Sequence, residues 1–481
     1  MKSNSILHSE RRRQFLEQIE SSVAVIPAAS EQTRNDDVDH EFRQDSDFFF
    51  LTGFPEPDAV AVLEPDRFTL FVRPRDREME TWNGYRAGVE GAKQRYGADE
   101  AYSVDDLESV LRDRLIGYSD LYFSWGGRLD GRMSAVLGKL PPLHERFGYR
   151  VPFTITDPTP IIAELRLRKS PAEIDLLRKA SSISADGHIE AMRYAAPGQF
   201  EYQVQAAMEF VFRQNGSMRN GYPSIVASGA NATVLHYTEN DRQMEDGDLL
   251  LIDAAAEFGY FSADITRTFP VSGRFTGPQR AVYEVVLAAE KAGIAAAVPG
   301  ATMRGIHQTC TQILTEGLVD LGLLPLGVDD SIGFHHYREF FMHGTGHWLG
   351  MDVHDAGTQK IGGEHRNLEA GMTFTVEPGI YVRADREVAT FHRLEYDLDE
   401  WTERRMKLGA KQARSLEAEE LDKAEAVEHT IPTEFRGIGI RIEDDILLTG
   451  SGNENLTDSV PVELDDVEAL CREESSLAGL H

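Results

Sequence analysis

The most constraining feature of this 481-residue sequence is a pair of aspartates that two neighbouring strands would bring together. Residues 248–253 form an apolar strand pattern that ends in Asp253, and residues 261–269 predict a second strand that contains Asp264. A hairpin that turns at residues 258–259 would place the two aspartates directly opposite each other on one sheet face. Carboxylates about 5 Å apart repel, so either a cation lies between them or one is protonated.

Two further acids, Glu377 and Glu443, each stand at the end of a predicted strand. Alternation along residues 372–376 predicts a strand that a proline closes, with Glu377 on the face opposite two apolar side chains. In residues 437–443 three isoleucines face the core, so Arg441 and Glu443 share the other face with two glycines. One such acid is more often a surface charge, and the Asp253 pair alone could flank a solvated turn, but four acids at strand ends predict a shared site.

A histidine-rich and glycine-rich segment, residues 343–350, supplies a different kind of ligand. His343 and His347 have the i, i+4 spacing of zinc-binding helices, but two glycines weaken a helix here and the glutamate of the H-E-x-x-H motif is absent. We therefore reject a zincin helix for this segment. The nearby His335 and His336 stay unassigned, because an isolated histidine is more often structural.

Composition excludes several classes of protein. The sequence has 49 Lys and Arg against 80 Asp and Glu, a formal net charge of −31, which disfavours nucleic acids and anionic membranes as partners. Cys310 and Cys471 lie outside any C-x-x-C pattern, as expected for a reducing compartment. Charged residues interrupt both the first 13 residues and the apolar stretch 281–298, so we expect a cytoplasmic protein without a signal peptide or membrane span.

The chain length and its breaks predict two unequal domains. An N-terminal α/β domain would occupy residues 1–165. A capping box at residues 170–173, with proline at the first helical position, would open a catalytic domain at 170–450. Within it, the charged segment at about 384–434 is typical of a solvated helix or helix pair. Residues 451–481 would form a C-terminal tail.

With these motifs in order, the sequence resembles the metal-dependent Xaa-Pro aminopeptidases (aminopeptidase P) of the pita-bread fold. The likeness covers nearly the whole chain and includes residues 33–54, 81–84, 222–237, 248–269, 343–355, 376–381 and 437–445. It implies an α/β (α+β) fold class, with an N-terminal α/β domain of the creatinase/aminopeptidase P type followed by a pita-bread metallopeptidase domain. The charged segment at 384–434 is longer than the family leads us to expect.

The resemblance also implies a ligand set and a cofactor. The residues that match the family's metal ligands are Asp253, Asp264, His347, Glu377 and Glu443. They would hold two divalent metal ions, with Mn²⁺ favoured over Co²⁺ or Zn²⁺, because four carboxylates and one imidazole form a hard, oxygen-rich donor set.

The activity implied by the resemblance is hydrolysis of the N-terminal Xaa-Pro bond of peptides, by attack of a metal-bridging hydroxide on the carbonyl before proline. Glu377 would carry the proton to the leaving nitrogen, while His354 and His236 would stabilise the tetrahedral intermediate. Arg441 would offset negative charge and Tyr222 would hold the ligand network. The other residues expected near the substrate are His343, Tyr381 and Trp82. Trp82 could form an apolar wall for the proline ring, or could be an ordinary core residue.

Two other functions stay open at this point. An Xaa-Pro dipeptidase (prolidase) shares the fold and the ligands, although Trp348 after the metal histidine and the N-terminal motifs favour the aminopeptidase. A metal-free pita-bread binding or scaffold protein would be expected to have lost ligand carboxylates, and here all are present. The predicted partners are proline-containing peptides and further copies of the chain, as a dimer or tetramer, with Asp37 and Trp82 in the part that would reach a neighbour.

Overall fold

The computed structural model describes residues 2–477 and divides into two compact units, Met1–Arg166 and Leu167–His481. Met1 and the last four residues of the predicted tail, 478–481, lie outside the described residues. No helix within residues 2–477 is long and apolar enough to cross a lipid bilayer.

The N-terminal unit is built on a six-stranded mixed sheet. The strands of the whole unit are β1 (Val23–Pro27), β2 (Thr33–Asn35), β3 (Val38–Asp39), β4 (Val60–Glu64), β5 (Arg67–Val72), β6 (Glu100–Ser103), β7 (Asp120–Tyr122) and β8 (Thr154–Thr156). The helices are α1 (Lys2–Ile19), α2 (Ser46–Thr52), α3 (Arg77–Asn83), α4 (Gly88–Tyr96), α5 (Leu107–Arg114), α6 (Asp130–Leu137), α7 (Pro141–Phe147) and α8 (Thr159–Leu167). The sheet order is β6-β5-β4-β1-β7-β8, and β2 pairs with β3 separately. Apolar residues of β1, β4 and β7 pack against α5 and α6 to form the core of this unit.

The C-terminal unit combines long helices with several small antiparallel sheets. The helices are α9 (Pro171–Tyr194), α10 (Glu201–Gln214), α11 (Gly277–Ala296), α12 (Met303–Asp320), α13 (Val328–Gly333), α14 (Leu398–Leu408), α15 (Ala410–Leu421) and α16 (Leu464–Leu470). The first strands are β9 (Arg219–Asn220), β10 (Ile225–Ser228), β11 (Leu249–Asp253), β12 (Ala256–Phe258), β13 (Phe261–Ser262), β14 (Thr266–Pro270), β15 (Lys360–Ile361) and β16 (Glu364–His365). The remaining strands are β17 (Thr373–Val376), β18 (Gly379–Tyr381), β19 (Val388–His392), β20 (Ala426–Thr430), β21 (Gly439–Arg441), β22 (Asp444–Leu448) and β23 (Asn453–Asn455).

Helix α9 begins where the sequence signals predicted. The Ser170 backbone N–H donates to Glu173 Oε2 at 2.7 Å, and the proline at the first helical position needs no hydrogen-bond partner for its nitrogen. The apolar stretch 281–298 lies almost entirely in helix α11, and its apolar face packs in the main core. Both helices are therefore explained by local sequence.

The predicted hairpin forms, but in a register two residues away from the expected one. Asp253 on β11 pairs with Thr266 on β14, and Phe258 pairs with Phe261. The two-residue loop is therefore 259–260, and both of its residues have positive φ, as a type I′ turn requires. Asp264 lies in the gap between β13 and β14 and does not face Asp253 directly, so that part of the prediction was wrong. A shift of two residues keeps every side chain on its predicted face.

The strands that carry the other two acids follow the predicted alternation. Strand β17 ends at Val376, directly before Glu377, and pairs with β22; after the proline, β18 pairs with β21. The apolar partners Phe374 and Val376, and the isoleucines at 438, 440 and 442, are buried in one core cluster. Glu377 and Glu443 therefore lie where paired strands are interrupted, on the side away from this core.

The charged segment between β18 and β21 is a small module. Helices α14 and α15 meet at Gly409, and strands β19 and β20 pair beneath them over five residue pairs. The sequence pattern predicted helices only, so the strand pair is an additional finding. Arg405 makes two hydrogen bonds, of 2.8 and 2.7 Å, with the buried carboxylate of Glu417 and so joins the two helices.

Candidate metal centre

A cavity of about 520 Å³ in the C-terminal unit gathers most of the predicted site residues. The predicted residues that line it are Tyr222, His236, Asp253, Asp264, His343, His347, His354, Glu377, Arg441 and Glu443. Tyr381 lies behind this wall and contacts two of its members. Trp82 belongs to the N-terminal unit, at the end of α3, where its side chain is 80% exposed and so is not a core residue of that unit.

Asp253 and Asp264 are joined through Tyr222. The Tyr222 hydroxyl lies 2.7 Å from Asp253 Oδ1 and 2.5 Å from Asp264 Oδ1, although it has a single proton to donate. Burial raises the pKa of Asp253, and the negative charge of Asp264 raises it further, against the opposing effect of Arg441. The two carboxylates thus lie close together in a buried place that favours a cation.

His347 presents one ring nitrogen to the acids. Its backbone N–H donates to Thr375 Oγ1 at 3.2 Å, and its Nδ1 lies 3.1 Å from the Trp348 carbonyl oxygen. This hydrogen bond leaves Nε2 pointing into the cavity, 3.4 Å from Asp264 Oδ2 and 3.7 Å from Glu377 Oε1. A second hydrogen bond of this kind orients many metal-binding histidines. The segment is a loop and not a zincin helix.

The donor set fits divalent cations. Asp264, His347 and Glu443 each offer one ligand atom, and these atoms lie within 4.8 Å of one another. Burial raises the pKa of Glu443 well above its usual value, and the negative charges of the neighbouring acids raise it further. Burial lowers the pKa of His347, but its hydrogen bond with Asp264 and the charge of that residue outweigh burial and raise this pKa to about 9. A bound cation would stabilise the ionised form of these buried acids. Their hard oxygen donors suit manganese or magnesium-like ions.

Arg441 is engaged by Asp253. Its Nη2 lies 2.5 Å from Asp253 Oδ2, and its Nη1 donates to the Tyr381 hydroxyl oxygen at 2.9 Å. The same hydroxyl lies 2.9 Å from His343 Nε2, and burial lowers the pKa of His343 to about 3. Arg441 therefore neutralises one acid of the ligand set directly, and His343 is a neutral imidazole beside the cavity.

The remaining predicted residues line the mouth of the cavity. The His354 ring stands edge-on to the His347 ring with their centroids 4.3 Å apart, and burial lowers the pKa of His354. His236 lies in the same lining, beside apolar side chains from Ile225 and Leu235. The two imidazoles lie beside an apolar wall, an arrangement that suits a small apolar ring and a polar carbonyl together.

Sequence reasoning missed the side chains that hold the ligands in place. The Thr266 hydroxyl donates to Glu443 Oε2 at 2.6 Å and accepts from Arg441 Nε at 3.0 Å. The Asp445 carboxylate accepts the Asp264 backbone N–H at 3.1 Å. Both share strand parity with a predicted ligand, Thr266 with Asp264 and Asp445 with Glu443, so alternation could have identified them.

The geometry agrees with what similar proteins show. Residues 175–450 match the profile of Metallopeptidase family M24, and residues 8–122 match that of the Aminopeptidase P, N-terminal domain. The Xaa-Pro aminopeptidase of Haemophilus influenzae is 40% identical over 96% of this chain and 95% of its own.

Solved structures give the same result. An aminopeptidase structure from Pseudomonas aeruginosa superposes with a TM-score of 0.86 at 40% identity, over 97% of this chain and 98% of that one. A zinc-substituted aminopeptidase P from Escherichia coli, in complex with product, superposes with a TM-score of 0.86 at 38% identity, over 98% and 99% of the two chains.

These matches confirm the predicted fold class and resemblance, and they favour neither the dipeptidase nor the scaffold protein. An identity of 40% along almost the full length goes well beyond a shared fold. The chain belongs to metallopeptidase family M24, among the Xaa-Pro aminopeptidases, and carries their N-terminal domain.

Proposed function

We propose that this protein removes the N-terminal residue from peptides whose second residue is proline. The observation that carries this proposal is the convergence of four acids and one imidazole on a single cavity, in a chain whose relatives are Xaa-Pro aminopeptidases. Asp253, Asp264, His347, Glu377 and Glu443 would hold two divalent cations, with manganese as the preferred metal. Bound there, the cations would supply Lewis acidity, which polarises a carbonyl and lowers the pKa of water towards neutrality.

Glu377 is the group best suited to move a proton during the reaction. Burial raises its pKa to about 7, although the positive charges of His347 and Arg441 oppose this. Its Oε1 lies 3.7 Å from His347 Nε2 at the cavity wall, so the carboxylate can accept a proton from the attacking water and pass it to the leaving nitrogen. The Glu377 backbone N–H donates to the Thr345 carbonyl oxygen at 2.8 Å and so fixes the position of this residue beside the histidine loop.

The other residues bind and orient the peptide. His354 and His236 can donate to the carbonyl oxygen on which negative charge develops, and the apolar wall at Ile225 can accept the proline ring. Proline has no backbone N–H, so a site that recognises it must rely on ring shape and on the preceding carbonyl. Tyr381 and Tyr222 hold Arg441 and the two aspartates in their positions.

The decisive experiment compares three peptides with manganese-loaded enzyme. An Xaa-Pro-Yaa tripeptide should release its first residue, whereas the same tripeptide with alanine at the second position should not. Cleavage restricted to the Xaa-Pro dipeptide would instead identify a prolidase. Asp264→Ala should lose both bound metal and activity, and equal metal content in this variant and the wild type would support the scaffold protein.

Homo-oligomerisation, a role for Trp82 at a neighbouring active site and a cytoplasmic location stay predictions from the sequence. Light scattering on the purified protein gives the oligomeric state directly. Trp82→Ala should then lower activity against tripeptides in an oligomer without changing metal content.

A further inference from the structure

A buried ion pair lies behind the loop that carries His354. Lys169 Nζ contacts Asp355 Oδ2 at 3.0 Å, and both side chains are 1% exposed. The backbone of Lys169 is fixed as well, because its N–H donates to the Gly371 carbonyl oxygen at 2.8 Å, directly before β17. Lys169 thus connects the start of α9 and the start of a ligand-bearing strand to this loop.

Asp355 is the residue that ties the loop together. Its backbone N–H donates to the Trp348 carbonyl oxygen at 2.8 Å, and its Oδ1 accepts the Asp352 N–H at 3.3 Å. The loop passes very close to the ion pair at Gly350, where a Cβ would lie 2.1 Å from Asp355 Oδ2 and 2.9 Å from Lys169 Cε. The loop that carries His347 and His354 therefore folds back on itself around the Asp355 carboxylate.

We propose that Lys169 is a positioning residue for His354, acting through Asp355. This inference rests on the proposed function, because it assumes that His354 contacts the substrate during the reaction. His354 is covalently next to Asp355, and its ring packs edge-on against His347, so a displacement of the backbone at Asp355 moves the imidazole relative to the metal centre. Lys169 holds the loop in place through Asp355, and the loop sets the position of the His354 imidazole.

The location of the pair favours this role over a purely stabilising one. A buried ion pair contributes little net stability compared with apolar residues of the same size, because both charges lose their hydration. Removing one partner is costly, since it leaves an unpaired buried charge. Lys169 and Asp355 therefore serve mainly to specify one arrangement of residues 348–355.

The test uses the full-length, metal-loaded enzyme and separates stability from positioning. Lys169→Met removes the cation, and Lys169→Met/Asp355→Asn removes both charges of the pair. Arg405→Met is the matched control, because it also leaves a buried carboxylate, Glu417, without its arginine, but within the charged insert. The measurements are kcat and KM for an Xaa-Pro-Yaa tripeptide, bound metal, melting temperature, and hydrogen exchange of the amides in residues 348–355.

Lys169→Met should lower kcat roughly 10- to 100-fold with KM changed less than about threefold, because a small displacement of a group that acts in the transition state mainly affects kcat. Metal content should equal that of the wild type, and the amides of Asp352 and Asp355 should exchange faster. The double variant should recover melting temperature but neither kcat nor protection. Arg405→Met should lower melting temperature and keep wild-type kcat and wild-type loop protection.

Wild-type kcat in the double variant, or unchanged exchange in the loop, would overturn the proposal. If Lys169→Met does not fold, the double variant alone decides. If the wild type itself fails to cleave the tripeptide, the proposed function is wrong, and hydrogen exchange then decides whether Lys169 positions the loop.

Discussion

Replacing Gly346 by alanine should displace His347, the proposed metal ligand, because the loop lies directly against strand β17 at this residue. A Cβ at position 346 would lie 1.9 Å from the Thr375 carbonyl oxygen, far inside any normal contact. The loop and the strand must separate by more than about 1 Å to relieve this overlap. Gly344, two residues earlier, is the matched control, since a Cβ there meets only one atom, at 4.0 Å.

The hydrogen bonds between loop and strand set the size of the effect. The His347 N–H donates to Thr375 Oγ1 at 3.2 Å, the Thr375 N–H donates to the His347 carbonyl at 3.0 Å, and the Glu377 N–H donates to the Thr345 carbonyl at 2.8 Å. Separation by about 1 Å breaks two or three of them, at about 1 kcal/mol each. The Gly346→Ala variant should therefore lose about 2–3 kcal/mol of stability, or roughly 3–5 °C in melting temperature for a unit of this size.

The metal should report the displacement independently of stability. Metal affinity falls about 10- to 100-fold when the support of a ligand histidine is lost, so calorimetric titration of Mn²⁺ into the metal-free variant should show a loss of this size. Gly344→Ala should keep the melting temperature and the metal affinity of the wild type. Wild-type melting and metal binding in Gly346→Ala would refute the reasoning, because the strand would then yield without moving the ligand.

Two further predictions concern buried groups outside the ligand set. Burial lowers the pKa of His188, whose Nε2 lies 2.8 Å from the Ala254 carbonyl oxygen, to about 4. The unfolded chain therefore binds a proton first as the pH falls below 6.5, and stability is lost from there towards pH 4, by up to about 3 kcal/mol. Urea midpoints of the metal-free protein should fall less between pH 7 and pH 5 in His188→Gln than in the wild type; equal slopes would contradict this. Glu290 is fully buried, neither of its oxygens has a hydrogen-bond partner among residues 2–477, and burial raises its pKa well above the usual value. As the pH rises above 4.5, Glu290 ionises in the unfolded chain but not in the folded protein, and this lowers the stability of the folded state. Glu290→Leu should therefore raise the melting temperature at pH 7, and the gain should shrink towards pH 4.5. A lower melting temperature at pH 7 would indicate that a bound water satisfies the carboxyl.

Strand parity was predictable from the sequence, whereas register was not. The face of each acid follows from alternation, which depends only on the pleat. The partner of each residue depends on the turn, and here Tyr260 adopts φ +70°, a conformation that a tyrosine seldom takes. The sequence favoured a turn at residues 258–259, one residue before the observed turn at 259–260, and this difference shifts the partner of Asp253 by two residues.

Contacts between distant segments could not be derived from local patterns either. Arg441 was predicted on the same face as Glu443, but nothing in the sequence near it indicates that Asp253, far away along the chain, is its partner. In the charged insert, composition predicted α14 and α15, while the alternating Val388–His392 segment that forms β19 went unnoticed beside so many helix-forming residues. The composition of a segment indicates its main type of secondary structure, and a short strand beside two helices is easily missed.

The insert leaves and re-enters the catalytic unit through adjacent residues. Tyr381 and Gly439 are direct partners in the β18–β21 pair, so the segment between them begins and ends at one point in the sheet, while Phe391 and Ile431 bury its strands in the main core. The entropy of closing such a loop grows only slowly with its length. The helical part of the insert around Gly409 can therefore change in length while the strands that anchor it stay in the core, and a fluorescent reporter could be inserted at Gly409 for the same reason.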